Sequence, residues 1–426
     1  MESKEQFCNL ISRTIPRAVT VALAMATVFA LTVVLAQSAQ AQTFKVIHTF
    51  TGPDGADVYA GVTLDAAGNL YGTTSERAEK GGGPGTVFEL KPWHGNWVLN
   101  NLFTFNGNDG YEPWSGVAFG PDGALYGTTF TGGSGSGVVY SLRPAATACK
   151  TALCPWSETV LYQFNGGGDG ADPAYGNLTF DRSGNLYGTT PYGGNSPCGW
   201  GLVFGLTPSN DGWTESVLYS FCGGNDGEFP FGGVILDEAG NLYGTTVLSG
   251  DGGCGEGCWG TVYQLTPSGA GWKENTLYTF QDGADGAEPY GGVIFDASGN
   301  LYGTTLLGGS GYGGTVFELS PAGGSWTFTL VYAFIGSGGP YSSLARDATG
   351  SLYGTTYLDG AYGQGSVFKL TPSRSGWTYT SLYDFTGGND GAYPMGTPVL
   401  DKNGNIYGTT SAGGANGKGV VFEITP

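Results

Sequence analysis

Apolar residues in this chain come in short runs separated by clusters of Gly, Asp, Asn and Pro, a pattern that predicts strands and turns rather than helices. The stretch from residue 233 to 280 shows the unit. Gly233 to Leu236 reads as one strand, Asp237-Glu238-Ala239-Gly240-Asn241 as a turn, and Leu242 to Thr246 as the next strand. Asp bonds backbone donors two residues on, and Gly and Asn tolerate positive φ, so this turn closes a tight hairpin. Thr261 to Leu265 and Trp272 to Phe280 supply a third and a fourth strand. Both faces of such strands are apolar, as in Val316, Phe317 and Leu319, which suits a sheet sandwiched between other sheets.

The unit repeats. Tyr-Gly-Thr-Thr begins at Tyr71, Tyr126, Tyr187, Tyr243, Tyr302, Tyr353 and Tyr407, spaced 51 to 61 residues apart, a period in the range of propeller blades. The predicted fold is therefore all-β: a seven-bladed β-propeller with four-stranded blades. Gly244 and its equivalents sit inside a strand, where glycine is unfavourable alone, so an aromatic ring or backbone is expected close against each. Residues 44–50 match a fourth strand, and the chain closes at residues 420–426 with a third. Pairing of residues 44–50 with 420–424 would close the ring and remove an exposed sheet edge.

Composition narrows the class. Glycine is 80 of 426 residues, yet there is no Gly-X-Y period and aromatics reach 14%, so the glycine serves turns rather than collagen or disorder. A formal net charge of -19 repels nucleic acid and anionic membrane surfaces. Arg13 and Arg17, an apolar run from Ala18 to Ala36 and then Ala39-Gln40-Ala41 read as a secretory signal peptide over residues 1–41, with an uncleaved anchor as the alternative. The mature part, 42–426, then reads as a single propeller that is secreted, periplasmic or at the cell surface, monomeric, with no later membrane span. Six cysteines remain: Cys149, Cys154, Cys198, Cys222, Cys254 and Cys258. In an oxidising compartment they read as disulfides, the first and last two as local pairs, which leaves Cys198 for Cys222.

Gly-Asn-Leu-Tyr-Gly-Thr-Thr together with Gly-Thr-Val-Phe-Glu-Leu resembles the Gloeo-Verruco (GloVer) extracellular repeat, and the likeness runs from about Phe44 to Pro426. It implies an exported repeat protein without implying a reaction. Asp-x-x-Gly-Asn-Leu-Tyr is more distantly similar to the blade turn of NHL-type propellers, including streptogramin lyase, a likeness of fold. Four positions depart from the pattern: Gly120 for the turn Asp, Ala124 and Ser351 for the turn Asn, and Arg143 for Thr. Their scatter suits tolerant surface turns.

Candidate chemistry is sparse. His48 and His94 are the two histidines, too few for a Ser-His-Asp arrangement or a histidine metal cluster. Acidic Asp-Gly loops precede six blades, at Asp54, Asp109, Asp169, Asp226, Asp285 and Asp390, with neighbours Asp57, Glu112, Asp172 and Glu288. No cofactor is expected. Asp109, Asp169, Asp226, Asp285 and Asp390 offer oxygen ligands for calcium as the alternative, but Asp-Gly is a standard turn pair and the turn is the favoured reading. The Cys-x3-Cys of Cys254 and Cys258 lacks a nearby histidine for zinc. The junction at Gly336 to Pro340 lacks the Asp-Gly pair. Just after the junctions stand Trp114, Tyr175, Phe231, Tyr290 and Tyr341, where an aromatic ring around a channel mouth can form. Aromatic faces beside carboxylates suit sugars; packing between blades is the alternative. Trp200 and Trp259, beside cysteines in two long loops, gather on the same rim if the loops between second and third strands share a face with the blade junctions.

The reading is a binding or interaction propeller that recognises a carbohydrate or another extracellular ligand on the acidic, aromatic face. The alternatives are a hydrolase or lyase acting on a polysaccharide or small molecule at the channel mouth, with acids such as Asp226 or Asp285, and a structural surface protein.

Overall fold

The computed structural model describes residues 42–76, 83–144, 156–195, 197–250, 259–269 and 271–426, and for 249 and 250 the backbone alone. The predicted signal segment and Cys149, Cys154, Cys254 and Cys258 lie outside the described residues. Phe44–Thr425 forms one compact unit.

Seven four-stranded antiparallel sheets build it, one for each Tyr-Gly-Thr-Thr. In blade 4 the strands are Ile235–Leu236, Leu242–Thr246, Thr261–Ser268 and Gly271–Thr279. The innermost strand is shorter than the sequence predicts. Gly232 and Gly233 lie where the sheets converge on the axis, and a Cβ on either would meet the backbone of Gly292 or Asn177 in neighbouring blades. Their backbone thus serves inter-blade packing instead of the ladder. The closing strand Thr43–Thr49 lies beside Val420–Thr425, so blade 7 draws strands from both chain ends as predicted. Phe50, just after it, is fully buried.

Each position of Tyr-Gly-Thr-Thr has a separate structural cause. The tyrosine hydroxyl donates to a carboxylate, that of the turn in blade 4, Tyr243 to Asp237 at 3.0 Å, and that of the third strand in blade 7, Tyr407 to Glu423 at 3.1 Å. The glycine makes room for the third-strand ring of its own blade; in blade 1 a Cβ on Gly72 would stand 2.6 Å from the Phe88 ring. Outside blade 2, where Thr128 bonds Ser115 of its own junction, the first threonine latches one blade to the next: Thr304 Oγ1 donates to the Ser342 carbonyl at 2.8 Å and Thr245 to that of Gly291 at 2.9 Å. The second threonine donates to the backbone two residues on, as Thr305 does to Leu307 at 3.0 Å.

Seven apolar clusters fill the seven inter-blade interfaces, with Phe50, Phe88 and Val421, for example, between blades 7 and 1. The departures in blade 2 prove to be coupled rather than scattered. With Gly120 in place of the turn Asp, Asp122 takes over, accepting from Tyr126 at 2.8 Å and pairing with Arg143. The residue that departs from Thr thus neutralises the carboxylate that has moved.

Candidate functional site

The junction loops between blades and the loops between second and third strands share one face, because they bridge each other: Ala56 with Glu76, Tyr111 with Thr131, Ala287 with Leu307 and Ala392 with Ala412. On this face the junction Asp-Gly pairs are turn elements. Asp169 accepts from Tyr162 Oη at 3.0 Å and Asn165 N at 2.9 Å. Asp226, Asp285 and Asp390 each hold a tyrosine hydroxyl, of Tyr219, Tyr278 and Tyr383, and a backbone N–H in the same way. Asp109 holds Asn106 N at 2.8 Å and the Asn106 side chain at 2.6 Å. The following glycine has its own reason: Gly286 has φ +106°, and a Cβ there would strike Thr305. Burial pushes Asp169 and Asp390 up, but the hydrogen bonds they accept outweigh it and hold both below the usual carboxylate range. Among the described residues no three His, Cys, Asp or Glu side chains gather in a way that would hold a metal ion.

A second row of residues sits just past each Asp-Gly pair. Asp57, Glu112, Asp172, Phe229, Glu288 and Tyr393 all adopt left-handed backbone with φ between 55° and 58°. Such a conformation costs a non-glycine residue about 1 kcal/mol or more, and its recurrence marks a demand of the junction. The backbone is pinned on both sides in blade 2, where Glu112 N donates to Pro84 at 3.2 Å and Phe130 N donates to Glu112 at 2.9 Å. Burial raises the carboxyl groups of Asp57, Glu112, Asp172 and Glu288 above their ordinary range. Asp57 and Glu112 are raised further by Glu76, which stands near both.

The five predicted aromatic residues meet. Trp114 stacks toward Tyr175 at 5.5 Å between ring centroids, Tyr175 contacts Phe231 at 5.8 Å, Phe231 contacts Tyr290 at 5.4 Å, and Tyr290 stacks on Tyr341 at 4.4 Å. None belongs to the inter-blade clusters. Three more rings complete the belt: Tyr59 against Trp114 at 5.8 Å, Tyr357 against Tyr341 at 6.1 Å, and Tyr393 against Tyr357 at 5.3 Å. Sequence reasoning missed these. Tyr59 was open to it, since it follows Asp54 by five residues as Trp114 follows Asp109.

Blade 3 carries one extra residue, Ala174, between the junction proline and the aromatic position, and there Tyr175 itself takes φ 52°. That bend brings its ring to 5.5 Å from Tyr341 of blade 6, on the opposite side of the axis. The hydroxyls of Tyr175 and Tyr290 lie against that of Tyr341, and burial raises all three. The rings therefore roof the channel instead of framing an open mouth. Beneath them lies a cavity of about 650 Å³ walled by the innermost segments, including residues 175–179, 290–294 and 395–400.

Trp200 joins this assembly from blade 3, 42% exposed and edge-on to Phe229 at 5.6 Å. Cys198 is bonded to Cys222 as the sequence predicts, which ties this loop to the end of the fourth strand. Trp259 instead lies partly buried against the core between blades 4 and 5. His48, on the closing strand, bonds Asp54 at 3.1 Å, and burial holds its imidazole below the usual value.

The architecture has relatives in fold. The extracellular domain of a protein described as a one-component system from B. thetaiotaomicron aligns at 12% identity and TM-score 0.55, over 89% of this chain and 39% of that one. A gluconolactonase from Xanthomonas campestris aligns at 14% identity and TM-score 0.44, over 87% of this chain and 96% of that one. Identities this low speak of fold alone. No curated protein matches the chain. The Gloeobacter/Verrucomicrobia repeat matches residues 22–258, 151–337 and 254–426, and the chain belongs to that repeat family.

Proposed function

We propose that this protein is an exported binding propeller whose ligand is a carbohydrate resting on the aromatic roof of the acidic face. The observation that carries this reading is the belt of eight rings, Tyr59, Trp114, Tyr175, Phe231, Tyr290, Tyr341, Tyr357 and Tyr393, lying outside the cores that hold the blades together. These rings pack on one another rather than into the blades, and all eight are only partly buried, so a ligand can reach them. Sugar C–H faces stack on them, while Asp57 and Glu112 near Tyr59, and Glu288 near Tyr290, accept hydroxyl hydrogen bonds. The net charge of -19 disfavours acidic glycans. The Cys198–Cys222 disulfide accords with an oxidising compartment, and among the described residues no helix is long and apolar enough to cross a membrane.

A glycan array probed with residues 42–426, with calcium and again with chelator, tests the reading. Selective binding to neutral glycans that persists in chelator is expected, since the Asp-Gly carboxylates are engaged as turn acceptors. Absence of any bound glycan in both conditions would overturn it.

One observation favours a hydrolase as the second reading. Asp57 shares a hydrogen bond with Glu76, and burial first and Glu76 second raise both Asp57 and Glu112, the direction that suits a general acid. Release of reducing ends from a bound glycan, abolished in Asp57→Asn, would decide for catalysis; a bound glycan left intact decides for recognition.

A further inference from the structure

We infer that the ligand is a neutral linear oligosaccharide that leaves the axis over blades 3 and 4 and ends against Trp200; this rests on the carbohydrate reading above. The belt has one exposed branch. From Phe231 the ring contacts pass to Tyr192 at 6.3 Å, to Phe229 at 5.5 Å and to Trp200 at 5.6 Å. Tyr192 and Trp200 are 40% and 42% exposed, whereas among the described residues the more exposed Trp93, Tyr312 and Tyr362 make no ring contact with the belt. A sugar held at the axis alone has no use for rings beyond the rim. A chain several sugars long reaches them.

The branch is also fixed in place, as a recognition track needs to be. Trp200 follows the disulfide-bonded Cys198 by two residues, its N–H donates to the Phe221 carbonyl at 3.3 Å, and Gly201 N donates to the Gly193 carbonyl at 3.0 Å. Ordering such a loop before binding removes an entropic cost from association. Successive rings cross steeply, at 86°, 68° and 90°, so they cannot form one flat platform. That geometry suits a single chain that turns along its length rather than a crystalline polysaccharide surface. Asp172 follows Ala171, which bridges Tyr192, and the Glu228 carboxylate and the Trp200 ring both lie against Gly223, so acids flank the branch and disfavour uronic acids or sulfated glycans.

Calorimetric titration of residues 42–426 with oligosaccharides of two and six sugars, from the manno, xylo, cello and chitin series, is the test. In at least one series the hexamer is expected to bind at least ~10-fold tighter than the dimer. Trp200→Ala is expected to weaken the hexamer by ~10-fold and leave the dimer unchanged, as the loss of one stacking ring implies. Trp93→Ala, on the opposite face, serves as the control and leaves both unchanged. Equal affinity for dimer and hexamer, or a Trp200→Ala variant that binds the hexamer like the wild type, overturns the track while leaving recognition at the axis intact. Binding of no series overturns recognition itself.

Discussion

Blades 2 to 4 and blades 5 to 7 solve one packing problem in opposite ways. The fourth-strand residue opposite the third-strand leucine is Glu158, Glu215 and Glu274 in blades 2, 3 and 4, and Phe328 and Tyr379 in blades 5 and 6. Phe44 makes the same set of ring contacts in blade 7. The aromatic residues stack on the tyrosine of the preceding blade: Phe328 on Tyr278 at 4.6 Å, Tyr379 on Tyr332 at 4.6 Å, Phe44 on Tyr383 at 3.6 Å. The glutamates occupy the same half-buried groove, with no salt bridge to any of them among the described residues. Burial first pushes all three up to about 7, with a junction aspartate adding to it and, for Glu274, a Thr276 hydrogen bond opposing it. Glu158 and Glu215 each keep one buried oxygen with no partner. The half that tolerates this discord also holds the disulfide, the extra residue before Tyr175 and the Trp200 branch. One half of the ring is built for cohesion, and the other departs from its repeat where the proposed ligand lies.

Exchanging the two solutions should have the largest effect. Phe328→Glu places the carboxylate of blades 2–4 into the aromatic half, and a loss of about 4 kcal/mol at pH 8 is expected by urea unfolding, shrinking at pH 5 where the group is protonated. An equal loss at both pH values would mean that lost stacking alone is at work. Removing the staple with Cys198→Ser and Cys222→Ser should cost about 3 kcal/mol, from the freed loop of 24 residues in the unfolded chain. Thermal melts of the oxidised wild type beside the double serine variant check the same quantity. Glu215→Phe makes the reverse exchange and should stabilise by about 1 kcal/mol at pH 8 through stacking on Tyr162; a loss would show that the groove of blade 3 has the wrong shape for a ring.

The gentlest test is titration. A carboxyl at about 7 when folded, against 4.5 as the ordinary value, binds its proton more tightly in the folded state. Its contribution is full below about pH 4.5 and is lost as pH rises through 7. Wild type should therefore lose stability between these limits, and the triple variant Glu158→Gln, Glu215→Gln, Glu274→Gln should flatten that slope. An unchanged slope would assign it to Asp57, Glu112 and the other raised acids of the face.

How much of this was legible in sequence depends on whether the cause repeats. Gly72 and its six equivalents show in the sequence because every third strand brings a ring against them, and ring closure shows because the fourth-strand pattern is displaced to residues 44–50. Six of the eight rings of the belt were legible: Tyr59, Trp114, Tyr175, Phe231 and Tyr290 follow an Asp-Gly loop, and Tyr341 follows the proline of the one junction without it. Tyr357 and Tyr393 were not, because Tyr357 arrives from a different loop and Tyr393 replaces an acid at the left-handed position. The roofing of the channel depends on a single inserted residue, Ala174, whose effect is a change of backbone direction and not of composition. Asp122 shows the limit of reading positions one at a time. Its role is visible only when Gly120, Tyr126 and Arg143 are considered together in space.

The most direct test of the central claim is glycan binding by residues 42–426 beside Phe231→Ala, with thermal unfolding run on both. Phe231 is where the axial belt and the branch to Trp200 meet. The account predicts selective binding of a neutral glycan by the wild type and a loss of ~10-fold or more in the variant, with cooperative unfolding retained. Wild-type affinity in a folded Phe231→Ala protein, or a wild type that binds no glycan, would contradict it.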